Sequence, residues 1–159
     1  MVYSERDSTQ KDTSSSAVTS SLSDLIARLE KAQGPDRELD AEIAASIRDC
    51  PSFSEDWAKN WAGEWRAING LVHLLGDFGS SGNFKPRPYT SSIDAAMTMI
   101  PPNFLHMIGS TGLSDGDKEY RGDVWGLRPG SSHIGLHDCE AIALCIAALK
   151  ARSPQSDLT

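Results

Sequence analysis

The chain has 159 residues, a length typical of one domain, and a formal net charge of −7. This acidic balance argues against direct nucleic-acid binding and against docking to an anionic membrane, because both need a basic protein face. No apolar run approaches the roughly 18 residues that a spanning helix needs, and the N-terminus lacks a secretory signal pattern. The three cysteines are too few for a disulfide framework. We therefore expect a cytoplasmic protein.

The N-terminal segment differs in composition from the rest of the chain. Residues 1–21 hold seven serines and three threonines with little apolar mass. We expect a disordered tail, because such a segment cannot bury enough surface to offset its ordering entropy; a phosphorylated or partner-binding tail is the alternative. A single domain is predicted over residues 22–152, followed by a disordered C-terminal tail over 153–159.

Two amphipathic helices are predicted at the start of this domain, in SDLIARLEKAQG and DRELDAEIAASIRDC, because their apolar residues recur at helical spacing. A third helix is predicted in SEDWAKNWAGEWRAINGLVHLLGDFG, where Trp57, Trp61 and Trp65 stand four residues apart. We interpret this row as a core face or a protein interface. A platform for stacking a base is the alternative, although stacking aromatics usually lie on strands or loops.

The segment GSSGNFKPRPY is predicted to be a linker, and a short helix follows it in YTSSIDAAMTMIPP. The start of this helix combines free backbone N–H groups, several hydroxyls and two cations, which favours an anion site. The alternative is that the hydroxyls only cap the helix and the cations are solvated. Three residues farther along the chain are predicted to converge on this region, so the predicted ligand-binding residues are Lys85, Arg87, Tyr89, Thr90, Ser91, Ser92, Arg121, Trp125 and Arg128.

Two strands are predicted in NFLHMIGST and KEYRGDVWGL, joined by the turn GLSDGD, and RPGSSHIG is predicted to be a loop. With a last helix from about Asp138 to Arg152, the pattern predicts an α+β fold: a small antiparallel sheet packed with several helices as an α/β/α-type sandwich. A two-stranded hairpin is marginal on its own, so we expect a homo-oligomer.

The segment HDCEAIALCIAALKAR raises the question of a metal or redox site. On a helix, Cys145 joins the apolar stripe, while Cys139 lies about 600° of rotation away. His133 and His137 are four residues apart, but they straddle Gly135 in the predicted loop. No zinc or nucleophile motif is present. We therefore predict no metal, no cofactor and no catalytic residue, and a protein that is not an enzyme; a Cys–His pair formed by distant segments is left open.

Three stretches, DLIARLEKAQGPDRELDAEIA, PYTSSIDAAMTMIPPNFLHMIG and EAIALCIAALKAR, resemble the phage ABA sandwich family of small proteins from tailed phages and prophages. The resemblance implies helices packed on a small antiparallel sheet, a phage or prophage origin and the cytoplasm of a bacterial host. It implies no reaction. Small phage proteins of this type are often accessory factors that counter host defence by sequestering nucleotide signals or by binding host proteins.

Three hypotheses follow. The first is a non-enzymatic counter-defence protein that sequesters a small anionic, nucleotide-like ligand at the predicted helix start, with Trp125 stacking the base. The second is an anti-CRISPR-like inhibitor of a host defence complex, in which the acidic body or the tryptophan row docks on a host protein. The third is a minor phage structural protein. None of them involves direct nucleic-acid or membrane binding.

Overall fold

The structure is a computed structural model that describes residues 21–51, 56–77, 79–111 and 118–153. The predicted tails therefore lie almost entirely outside the described residues. The elements in chain order are α1 (Leu22–Lys31), α2 (Arg37–Ile47), α3 (Asp56–Lys59), β1 (Glu64–Ile68), β2 (Leu71–Gly76), β3 (Gly79–Phe84), α4 (Ile93–Met97), β4 (Phe104–Ser110), β5 (Tyr120–Gly126), β6 (Ser132–His137) and α5 (Glu140–Arg152).

The predicted α+β single-domain fold is confirmed, but the described strands form two antiparallel sheets rather than one. The first sheet has the order β1-β2-β3 and the second has the order β4-β5-β6. Helix α2 packs on β1 and β2, whereas α5 packs on β5 and β6, and α1 and α4 both contact α5. No helix in the described ranges is long and apolar enough to cross a membrane.

The first two helices are confirmed, and each begins at a polar cap. The Ser21 hydroxyl accepts a hydrogen bond from the backbone N–H of Asp24 at 3.2 Å. The Asp36 carboxylate accepts one from the N–H of Glu38 at 2.8 Å. These side chains satisfy backbone donors that have no partner within the helix, which fixes where each helix begins.

The predicted third helix is wrong beyond Lys59, because α3 is the only helical part of this segment within residues 56–77. The remainder forms the hairpin of β1 and β2, in which Trp65 pairs with Leu74. Asn69 and Gly70 connect the strands with φ angles of 52° and 74°. Positive φ at both central residues is the geometry of a type I′ turn, whose twist matches that of the adjoining strands. The predicted linker is wrong in its first half, since Gly79–Phe84 forms β3, whereas residues 85–89 lie outside any helix or strand.

The second sheet contains the two predicted strands and a third strand in a segment predicted to be a loop. Strands β4 and β5 are confirmed, and their connecting turn, residues 112–117, lies outside the described residues. The predicted loop RPGSSHIG is wrong in its second half, because Ser132–His137 forms β6 and pairs with β5. Its first half is the hairpin loop between them, in which Gly130 has a φ of 85°.

The core is centred on α5, and residues 141–149 of this helix are at most 3% exposed. A helix that is apolar on every side belongs in the interior, where each large side chain contributes about 1.5–3 kcal/mol by burial. The helix lies unusually close to the second sheet. A Cβ added at Gly135 would stand 2.1 Å from the carbonyl oxygen of Ala143, and one at Gly122 would stand 2.9 Å from the same atom. Glycine at these two positions therefore permits the contact.

Candidate functional site

The predicted anion site at residues 85–92 is tied to the end of α2. The Nε of Arg87 donates to Oδ2 of Asp49 at 2.8 Å, and the hydroxyl of Tyr89 donates to the same oxygen. Tyr89 is fully buried. Burial raises the pKa of its hydroxyl, as does the hydrogen bond to Asp49, so this side chain stays a neutral donor. Neither Arg87 nor Tyr89 is available to a ligand without breaking this cluster.

Thr90 connects the same loop to the start of α2. Its backbone N–H donates to Oδ1 of Asp40 at 2.8 Å, and its hydroxyl accepts from the N–H of Asp36 at 2.8 Å. Both Thr90 and Asp40 are buried. Burial raises the pKa of the Asp40 carboxyl, which the hydrogen bonds from Thr90 partly oppose. The polar groups of Thr90 therefore hold the loop against α2.

The remaining predicted residues of this loop have local roles or face solvent. The Ser92 hydroxyl caps α4 by accepting from the N–H of Ala95 at 3.3 Å, and the exposed Ser91 hydroxyl lies 3.4 Å from the carbonyl oxygen of Pro88. Lys85 is exposed. The alternative, in which the hydroxyls cap the helix, therefore accounts for the positions of Ser91 and Ser92. Helix α4 has only five residues, so its dipole would attract an anion only weakly.

The cysteines of α5 contact this loop rather than each other. Cys145 Sγ donates to the carbonyl oxygen of Tyr89 at 3.3 Å, and Cys139 Sγ lies 3.5 Å from that of Thr90. Burial raises the pKa of the Cys145 thiol, which keeps it protonated and unreactive. Cys145 therefore packs as the sequence predicted, on the side of α5 that faces the loop.

Of the two histidines of β6, His137 forms hydrogen bonds within the fold. His137 is buried, and its Nε2 lies 2.7 Å from the carbonyl oxygen of Ala32, while its Nδ1 accepts from the N–H of Cys139 at 2.9 Å. Burial lowers the pKa of His133, and the positive charge of Lys150 adds to this effect. Across residues 21–51, 56–77, 79–111 and 118–153, no group of three or more His, Cys, Asp or Glu side chains is placed to hold a metal ion.

Helix α5 separates the predicted ligand residues into two groups. Its Ala143 and Ala147 backbone faces Gly135 of the second sheet, whereas Cys145, on the opposite side, contacts the loop of residues 85–92. Side chains alternate between the two faces along β5, and Gly122 faces α5. Arg121 and Trp125 are an odd number of positions from Gly122, so their side chains lie on the face of the sheet that points away from α5. The predicted convergence of all nine residues on one site does not occur.

We call the surface formed by these far-side residues the outer face. It consists of three rows across β4, β5 and β6, in which large apolar side chains flank a central ion pair. Arg121 Nε donates to Asp123 Oδ2 at 2.9 Å, and Arg121 Nη2 donates to Asp123 Oδ1 at 3.0 Å. The rows, each read from β4 to β6, are Leu105–Trp125–Ser132, Met107–Asp123–Ile134 and Gly109–Arg121–Leu136.

A shallow depression of about 340 Å³, open to solvent, lies at the hairpin between β5 and β6, and we call it the hairpin cavity. Its walls are residues 125–132, including Trp125 and Arg128. Ser131 holds the loop in shape: its hydroxyl donates to the carbonyl oxygen of Arg128 at 2.6 Å and accepts from the N–H of Gly126 at 3.0 Å. No described residue forms an ion pair with Arg128. The cavity therefore unites an indole ring with a guanidinium group that is not engaged elsewhere in the described chain.

The predicted tryptophan interface is not a continuous exposed row. Trp65 is 8% exposed, and its ring packs edge-to-face on Phe84 with a centroid distance of 5.8 Å. Trp61 is half-buried, and its Nε1 donates to the carbonyl oxygen of Leu75 at 3.3 Å. The side chain of Trp57 lies outside the described residues. Trp61 and Trp65 thus stabilise the first sheet.

Comparison with known proteins adds no assignment: no family model, no curated protein and no solved structure matches the chain. The resemblance to the phage ABA sandwich family therefore stays a prediction from the sequence.

Proposed function

We propose that this protein is a non-enzymatic binding protein, of the phage origin that the resemblance implies, which holds a small anionic ligand with a flat ring, such as a nucleotide. The observation that carries the proposal is the hairpin cavity. It is lined by both Trp125 and Arg128, two residues that the sequence had already suggested for such a ligand. Its volume of about 340 Å³ lies at the lower end of the range typical of small-molecule sites.

The chemistry of the two side chains is complementary. A base stacked on the indole of Trp125 would gain about 1–3 kcal/mol, and the stacking would tolerate any base because each has a π-face. The guanidinium of Arg128 presents donors whose planar geometry matches two phosphate oxygens. Because Ser131 fixes the hairpin through its bonds to Gly126 and Arg128, less conformational entropy is lost when the ligand binds.

The negative charge of the chain lowers the affinity that we expect for an anionic ligand. A net charge of −7 repels an anion at long range, so attraction depends on Arg128 at short range. Arg121 adds little, because Asp123 neutralises its guanidinium. We therefore expect a ligand with one or two phosphates and a large stacking surface, rather than a highly charged polyphosphate.

The hypothesis of an inhibitor that docks through its tryptophans receives less support. Docking through the tryptophan row required that row to be exposed, and Trp65 is packed in the core against Phe84. Docking through the acidic body, the other form of this hypothesis, rests on the net charge of −7 alone. Ligand binding at the hairpin cavity is therefore the better-supported hypothesis.

The test is a thermal-shift panel of cyclic di- and trinucleotides, ADP-ribose derivatives and inorganic phosphate. A ligand present at about 100 times its Kd should add about 2.7 kcal/mol of stability. Arg128→Glu should abolish the shift. Lys85→Glu, which makes the same charge change at an exposed cation on the other side of α5, should preserve it. Arg87 is unsuitable for this comparison, because its loss breaks the ion pair with Asp49.

Two outcomes would count against the proposal. If no compound in the panel shifts the melting temperature, the proposal of a nucleotide ligand is wrong. If Arg128→Glu and Lys85→Glu reduce the shift equally, the hairpin cavity is not the binding site. Recovery of the unchanged nucleotide after incubation, measured by chromatography, checks that binding occurs without turnover.

A further inference from the structure

We propose that the outer face of the second sheet is covered in solution by the same face of a second copy of this chain. The inner face of this sheet is already filled by α5. The outer face leaves four large apolar side chains between 37% and 57% exposed: Leu105, Met107, Ile134 and Leu136. An antiparallel sheet face that meets water is normally polar, and clustered apolar side chains of this size mark an interaction surface.

The first sheet provides a contrast within the same molecule. Its outer side is mixed, because the ion pair of Glu64 and Arg66 at 2.7 Å and His73 share it with Ile68, Leu71 and Leu75. Among the described side chains of that side, Ile68 alone is an exposed large apolar residue, whereas the outer face of the second sheet exposes four. Both sheets have one side against a helix, so burial of the core does not explain this difference.

The charges on the outer face favour a second copy over a strongly charged partner. The described strands place one positive and one negative side chain there, Arg121 and Asp123, so the face has no net charge. A strongly basic or strongly acidic partner would therefore find no net charge of the opposite sign on this face to attract it. An isologous interface places the same neutral ion pair on each side. Arg121 makes the contact with the partner's ion pair, because 48% of its side chain is exposed against 10% for Asp123.

The register of the strands indicates how two copies would align. In β5, Gly122 lies between Arg121 and Asp123, whose neighbours on β4 are Gly109 and Met107. A two-fold axis across the strands at the level of Gly122 brings Arg121 opposite the partner's Asp123. The same axis brings the large Met107 side chain opposite the partner's Gly109. Two sheets aligned in this way would pack about 10 Å apart with large residues set against small ones.

The size of the face determines the strength of the expected contact. Three strands of six or seven residues cover roughly 15 Å by 20 Å, which is about 300 Å² on each copy and about 600 Å² for two copies before the relief of the side chains is added. This value lies below the standard size of a specific interface, so the contact is expected to be weak. The net charge of −7 on each copy opposes association at long range. A reversible dimer with a dissociation constant on the order of 10 µM is therefore expected.

The test is sedimentation of the full chain over a concentration series that spans this value. The weight-average mass should rise from 17.2 kDa towards twice that value. Ile134→Glu and Met107→Glu should each keep the mass at one chain throughout. Ile68→Glu is the matched control, because Ile68 is an isoleucine on a strand of the first sheet and is 38% exposed, against 37% for Ile134.

Circular dichroism confirms that each variant is folded, and both substituted side chains are exposed enough for glutamate to reach water. A wild-type chain that stays monomeric well above 10 µM would overturn the proposal and would leave the outer face to a partner with a different sequence. Dimers that persist in Ile134→Glu and Met107→Glu, or that are lost in Ile68→Glu, would also overturn it. Trp125 lies at the end of the outer face next to the hairpin and belongs to both surfaces. The variants that test the two proposals, Arg128→Glu for the ligand and Ile134→Glu for the dimer, do not share it, so the two proposals fail separately.

Discussion

Substitution of Gly135 by alanine tests the contact between α5 and the second sheet, on which the core depends. The new Cβ would lie 2.1 Å from the carbonyl oxygen of Ala143 and 2.8 Å from the backbone nitrogen of Ala147. Both of these atoms belong to the helix backbone, so no side chain can rotate to relieve the clash. Ordinary contact begins near 3.4 Å, which means that the helix must move about 1 Å away from the sheet.

Such a movement is costly because α5 is enclosed on its other sides by α1 and α4. Overpacking of a core costs about 1–3 kcal/mol and occasionally more, and a gap of 0.5–1 Å forfeits about a quarter to a half of the dispersion energy at the atoms involved. We expect Gly135→Ala to lower the free energy of unfolding by about 3 kcal/mol. For a domain of this size the melting temperature should fall by about 6–12 °C.

The assay is urea unfolding followed by tryptophan fluorescence, with Gly109→Ala as the control. Gly109 lies on β4 in the same sheet, and a Cβ there would meet no atom within 4 Å. The control should stay within about 0.5 kcal/mol of the parent. If Gly135→Ala is no more destabilising than Gly109→Ala, the helix does not pack on the sheet as closely as described, and the argument is refuted.

Three further predictions concern the loop between the two sheets. Tyr89→Phe removes the hydroxyl that donates to Asp49 and should cost about 1.5–3 kcal/mol, as is typical for a hydrogen bond to a charged group; an unchanged urea midpoint would contradict this. Burial raises the pKa of the Asp40 carboxyl above its value in the unfolded chain, so the folded chain binds the carboxyl proton more tightly. The free energy of unfolding therefore falls as the pH rises through the range just above the ordinary aspartate pKa. Asp40→Asn should therefore gain stability relative to the parent across that window, and urea titrations in which this difference does not change with pH would refute the reasoning. Iodoacetamide should alkylate the half-buried Cys139 in the native protein, whereas it should alkylate the buried Cys145 only as fast as the chain unfolds. Mass spectrometry of samples taken over time measures the two rates separately. Equal rates for the two cysteines would disprove the difference in burial.

The sequence predicted the elements whose signals are local. The helices α1, α2 and α5 follow from apolar spacing over ten or more residues, and strands β4 and β5 follow from short apolar runs beside a glycine-rich turn. The tryptophan segment failed because a spacing of four residues fits one face of a helix and also the even parity of a strand. The signal that distinguishes the two was Asn69–Gly70, a strong hairpin pair between two apolar runs.

The sequence does not show that polar groups of the predicted ligand site already have partners, because these partners are far away in sequence. Arg87 and Asp49 are 38 positions apart, and Thr90 and Asp36 are 54 positions apart. A sequence with hydroxyls and cations near a helix start is the same whether these groups bind an anion or hold the loop against another helix. Only the packing of the loop against α2 shows that their hydrogen-bonding capacity is already used.

The outer face, by contrast, did leave a signal in the sequence. An antiparallel strand with one solvated side should alternate between apolar and polar residues. In β4 this alternation is broken, because Phe104 and Ile108 lie on the side towards the core while Leu105 and Met107 lie on the other. A single core uses only one of these two sets. Strand β2 also has apolar residues on both sides, but its outward Leu71 and Leu75 are half-buried, whereas Leu105 and Met107 of β4 are more than half exposed. The exposure of β4 therefore indicates a second contact, and the register of β5 suggests that this contact is with another copy of the chain.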